Sequence, residues 1–135
     1  TYQKKNFPEA VVCSADHYFE RDGPYRFDPA KTGAAHGACM RRFVRLVQQG
    51  RVAVIVVDNM SLRDTDIAPY VAVAEAYGYR PEVVTLVCDP LVAAARNVHS
   101  VPIEDVRKRA EVLAKCLYAL PPWWKHTVVT QDTPA

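Results

Sequence analysis

The sequence of 135 residues and 15.1 kDa is half hydrophobic, one quarter charged and one tenth aromatic, enough apolar material for the packed core of one domain. Seventeen Lys and Arg against fifteen Asp and Glu leave a net charge of +2, so charge alone does not announce a nucleic-acid or membrane surface. No apolar run approaches the ~20 residues a bilayer span needs, no signal segment opens the sequence, and four cysteines without a C-x-x-C pair read as thiols of a reducing, cytoplasmic compartment. Apolar neighbours mark Cys13 and Cys88 as buried.

In chain order, Val11–Cys13 is a short β-branched run that leads into Ser14-Ala15-Asp16-His17-Tyr18-Phe19. Asp22-Gly23-Pro24 and Asp28-Pro29 are turn signals that place Tyr25–Phe27 in a loop, a candidate flap overhanging the strand ends. From about Ala30 to Gln49, Cys39, Met40, Phe43, Leu46 and Val47 hold one helical face, and Gly50 supplies the stop. The basic set Arg41, Arg42 and Arg45 on that helix reads as its solvated face.

Val52–Val57 is the second apolar run and ends in Asp58-Asn59-Met60-Ser61. In the next helix Ile67, Tyr70, Val71 and Ala74 share a face; Asp66 is its expected cap, with Pro69 in the first turn. Val83–Val87 precedes Cys88-Asp89-Pro90, and a short helix from Leu91 to Asn97 comes before a longer one that begins near Pro102. Glu104 and Asp105 suit the dipole of that longer helix, and Ile103, Val106, Ala110, Leu113 and Leu117 form its apolar stripe. Thr127–Val129 is the last run.

Continuous rather than alternating apolar runs, separated by helices, predict an α/β fold with a largely parallel sheet flanked by helices and covered on both faces. Ligands of such sheets bind beyond the carboxyl ends of the strands, where Asp16, Asp58 and Asp89 lie. Cys13, His17, His36 and Cys39 lack a zinc spacing and read as core thiols and a pocket histidine, with His17 beside Asp16 read as a solvated strand-end histidine. Trp123 and Trp124 read as packing a C-terminal strand onto the last helix.

The stretches Ser14–Phe19, Ala35-His36 with Cys39 three on, Val56-Val57-Asp58-Asn59, Pro69-Tyr70, Gly78-Tyr79 and Arg96-Asn97-Val98-His99-Ser100-Val101-Pro102 occur together in this order. The sequence thereby resembles the polynucleotide-kinase-like branch of P-loop kinases, also described as AAA-type ATP-binding proteins, over roughly residues 7 to 115. The resemblance implies a P-loop NTPase architecture over residues 1–135 and transfer of the ATP γ-phosphate to a hydroxyl acceptor, a nucleic-acid 5′ end or a nucleoside. It implies that Asp16 is the general base, that Asp58 holds a water on Mg²⁺, and that Arg96 clamps the phosphoryl group in flight. Asn59 and Arg63 would reach acceptor or phosphate, and Ser14, His17, Tyr18 and His36 would face the acceptor.

Three positions depart from the pattern. Phe19 stands where polynucleotide kinases carry an arginine, His17 where relatives have a second aspartate, and Met60 where threonine is usual. None of the five glycines precedes a lysine, so the sequence contains no G-x-x-x-x-G-K-[ST] phosphate loop. In the resembling family that loop and its strand come before Phe7, and the strand lies between those ending at Asp58 and Cys88. The expectation is therefore a sheet lacking its central strand, to be completed by a preceding segment or another chain. The alternative reading is a degenerate, non-catalytic ATP-binding or regulatory module, or an ATPase, within a larger protein.

Overall fold

The computed structural model describes residues 2–89, 91, 101–116 and 119–130. The described chain is α/β with parallel strand pairing. Its elements are α1 (Tyr2–Asn6), β1 (Val11–Cys13), α2 (Asp16–Glu20), a 3₁₀ turn (Pro29–Lys31), α3 (Thr32–Gln49), β2 (Ile55–Val57), α4 (Asp64–Ala76), β3 (Val83–Val87), α5 (Ile103–Cys116) and β4 (His126–Thr130). They divide between two compact units, residues 1–60 with 70–79 and residues 61–69 with 80–135.

In the first unit β1 and β2 pair in parallel, Val11 opposite Ile55 and Cys13 opposite Val57. Helix α3 supplies most of the core. Its entry is set by Asp28, whose carboxylate accepts from the Ala30 N–H at 3.0 Å ahead of the 3₁₀ turn. Its exit is set by Gly50 at φ 64°, whose N–H donates to the Leu46 carbonyl. Between these ends Ala35, Cys39, Phe43 and Val47 recur every fourth residue and are all buried. Cys13, Cys39, Phe43, Val47 and Ala74 form one cluster, with Met40, Leu46, Ile55, Val57, Tyr70, Val73 and Tyr79 packed on it. Arg41, Arg42 and Arg45 are exposed, as the amphipathic pattern predicts.

Helix α4 begins two residues before the expected cap. The Asp66 carboxylate reaches back to accept from the Arg63 N–H at 3.1 Å, and the Asp66 N–H donates to the Arg63 carbonyl at 3.0 Å. Asp66 is thus the third helical residue, its carboxylate covering the Arg63 N–H, and not the cap, and Pro69 lies inside the helix rather than in its first turn. Strand β2 is shorter than the apolar run Val52–Val57; the Val52 carbonyl, before the strand, accepts from the Tyr79 hydroxyl at 2.7 Å. Helix α2 was not foreseen: Ser14–Phe19 reads as a strand exit, yet its latter part winds into a helical turn.

In the second unit β3 and β4 pair in parallel from Val83 opposite His126 to Val87 opposite Thr130. Helix α5 starts where the early carboxylates predict, but none of its residues is fully buried. Cys88 is half-buried rather than buried, and Leu86 and Val128 are exposed on the strands. The covering of both faces that continuous apolar runs imply is therefore not present around this pair among the described residues. Trp123 is 79% exposed, which departs from the packing role expected of it.

The described strands form two two-stranded sheets, β1-β2 and β3-β4, and not one continuous sheet. No described residue supplies a strand paired between β2 and β3, the position that the resembling family fills with its first strand. The short helix expected from Leu91 to Asn97 lies, apart from Leu91, outside the described residues, as do Leu117 and the stretch holding Arg96 and His99. No described helix is long and apolar enough to cross a membrane.

Candidate functional site

The carboxyl ends of β1 and β2 are joined by their own backbone and by one side chain. The Asp58 N–H donates to the Cys13 carbonyl at 2.9 Å, which continues the ladder one residue past β2. Beyond it the Asn59 amide oxygen accepts from the Ala15 N–H at 2.8 Å. The Asn59 amide nitrogen donates to Cys39 Sγ at 3.5 Å, and the Tyr70 hydroxyl donates to the same sulfur at 3.3 Å. Tyr70 is held in turn by an edge-to-face contact with Phe43, ring centroids 5.0 Å apart.

This frame sets where α2 starts. Ser14 is 9% exposed, and its hydroxyl oxygen accepts from the Asp16 N–H at 3.2 Å. The His17 and Tyr18 N–H groups donate to the carbonyls of Ser14 and Ala15. Asp16, the first residue of α2, is exposed, and Asp58 is exposed at the end of the neighbouring strand. The parallel register therefore delivers both expected carboxylates to one edge of the first unit.

Beside Asp16 lies an aromatic group. Phe19 packs edge-on to Tyr18, Tyr25 and Phe27, with centroid separations of 5.6, 6.0 and 5.2 Å. The Arg21 guanidinium sits 3.7 Å over the Tyr18 ring. Burial, then the negative charges of Asp16 and Glu20, hold the Tyr25 hydroxyl above its ordinary pKa, which places Tyr25 in the field of Asp16. The hydrogen bond from the Arg26 N–H to the Phe19 carbonyl at 3.0 Å folds residues 20–26 back on α2. Phe27 is 56% exposed, so the flap read from the turn signals has an open aromatic surface.

The remaining sequence candidates are distributed as follows. His17 is exposed on α2, Tyr18 is half-buried there, and His36 is exposed near the start of α3. Arg63 precedes α4 in the second unit, its N–H committed to Asp66. Arg96 lies outside the described residues. Among the described residues no group of three or more His, Cys, Asp or Glu side chains is arranged to hold a metal ion, so the two Cys and two His of residues 13–39 form no such centre. Cys39 and Tyr70 belong to the stretches that carry the resemblance but received no role from it; they sit on apolar helical stripes, and their polar atoms meet at Asn59.

Burial and the neighbouring Cys39 raise the Cys13 thiol above its ordinary pKa, and Arg42 partly offsets this. Burial, the hydrogen bond to Cys39 and the nearby thiols push the Tyr70 phenol well above its ordinary range, and a hydrogen-bonding interaction with Asn59 partly offsets this. Both groups are therefore neutral at physiological pH.

No protein-family model matches the sequence. Over 115 residues, 82% of the chain, the sequence is 30% identical to NEDD4-binding protein 2 of Homo sapiens. The matched stretch covers 6% of that protein, so the chain spans only a small part of its length.

Proposed function

We propose that the chain forms the acceptor-side part of an ATP-dependent phosphotransferase that acts on a hydroxyl group. The observation that carries this reading is the delivery of Asp16 and Asp58 to one edge by adjacent parallel strands whose ends are tied together. Asp16 is the base that takes the proton of the attacking hydroxyl, a role that requires a carboxylate within hydrogen-bond reach of the acceptor. The aromatic group of Phe19, Tyr25 and Phe27 beside it suits a planar acceptor such as a nucleoside or a nucleic-acid 5′ end.

The cofactors fit unequally. Asp58 is exposed at a strand end with its backbone fixed, which suits a hydrated Mg²⁺ held through water by few carboxylates. Magnesium there would neutralise charge on the phosphates. The triphosphate does not fit these residues by themselves, because the sequence has no glycine-rich loop to wrap it. No step is therefore routed through ATP; Arg63 and Arg96 remain proposed phosphate contacts.

A second reading, a non-catalytic module of a larger protein, is favoured by the missing phosphate loop and by a similarity confined to 6% of a relative's length. Incubating the full-length protein with Mg²⁺ and γ-labelled ATP, with and without 5′-hydroxyl oligonucleotides and nucleosides, separates the readings. Label on an acceptor supports phosphotransfer, ADP release without acceptor supports hydrolysis, and neither product supports the regulatory module.

A further inference from the structure

We propose that Cys39 is a positioning residue: its sulfur fixes which way the Asn59 amide faces, and Asn59 in turn fixes the backbone from which Asp16 projects. A primary amide presents an acceptor on one side and a donor on the other, and the two ends have nearly the same shape. Only one orientation serves here. With Oδ1 toward Ala15 the buried Ala15 N–H is satisfied at 2.8 Å; with the amide reversed, two donors would face each other. Cys39 Sγ, 3% exposed on α3, accepts from Nδ2 at 3.5 Å and so favours the productive orientation. The Tyr70 hydroxyl, anchored through Phe43, donates to the same sulfur at 3.3 Å and is itself within hydrogen-bonding reach of Asn59, so the amide nitrogen faces two acceptors on the side away from Ala15.

The consequence passes to Asp16 in one step. Ala15 immediately precedes α2, its carbonyl accepts from Tyr18, and the next N–H is taken by Ser14 Oγ. Asn59 on this account holds the edge from within instead of contacting phosphate. The inference that Asp16 thereby stands ready as a base rests on the proposed phosphotransfer; the hydrogen-bond lock itself does not.

Amide hydrogen exchange of the 135-residue chain, resolved by NMR, tests the lock without any assay of activity. In Cys39→Ala, Ala15 should lose about tenfold in protection, the loss of roughly one hydrogen bond, while Val11, Asp58 and Phe43 keep theirs. Cys39→Ser, which restores an acceptor at nearly the volume of alanine, should recover most of it. An unchanged Ala15, a uniform loss at all four amides, or a serine variant as unprotected as alanine would each overturn the proposal. Should the alanine variant not fold, the unsubstituted protein still decides: slow exchange of one Asn59 side-chain amide proton supports the lock, and free-peptide exchange of both contradicts it. In the full-length protein, a positive exchange result with no phosphotransfer would reject the proposed function and leave the lock standing.

Discussion

Cys13 is buried in the core and Tyr70 is half-buried against it; both are neutral, and each is harder to ionise there than in water. Because their folded-state pKa values are raised, the stability tied to their neutral forms is fully present below the unfolded values, 9.0 for the thiol and 10.0 for the phenol. It is lost as pH climbs above them, since the unfolded chain ionises first. Denaturant titrations should thus show no pH dependence from this pair through neutral pH and a decline above about pH 9. Tyr70→Phe should flatten the part of that decline above about pH 10; an equally steep decline would remove Tyr70 from the account. At this scale sequence reading located Asp16 and Asp58, because a carboxylate after a buried strand is a visible pattern. It missed Cys39 and Tyr70 as polar partners, because helical periodicity reports which face is buried and not what the polar tips on that face touch.

At the level of elements, α3 was the most legible, since its stripe, its entry turn and its glycine stop all agree. Two of its glycines predict changes of opposite sign. Gly50 adopts φ 64° in open space, so Gly50→Ala should destabilise by about 1 kcal/mol through backbone strain alone. Gly37 lies in the helix interior, where an added Cβ meets only the mobile end of Arg41 at 3.4 Å. Gly37→Ala should therefore stabilise by roughly 0.5–1 kcal/mol, and thermal unfolding of the two variants checks both signs. Helix α4 was misplaced at its start because Asp66 and Pro69 both invite a first-turn reading, and only the Arg63–Asp66 pairing shows that the helix begins at Asp64. Helix α2 was missed because five residues are too few for a periodic signal.

For the whole molecule, the sequence conveys the class, α/β with parallel pairing, but not the sheet it builds. Strand pairing is a non-local property, and two short parallel pairs share the sequence pattern of one larger sheet. The same scale governs nucleotide binding. Without a glycine-rich loop the 135 residues lack the backbone donors that hold a triphosphate, so calorimetric titration of this chain with MgATP should show no saturable binding in the micromolar range. Micromolar affinity would show that phosphates are held by other means.

The central claim is that the edge formed by β1 and β2 presents Asp16 as the base for a hydroxyl acceptor. Steady-state phosphoryl transfer by the full-length protein and its Asp16→Asn variant tests it most directly. The account predicts a fall in kcat of about 10²- to 10⁴-fold with the KM for ATP little changed. Transfer that proceeds undiminished in Asp16→Asn would contradict it.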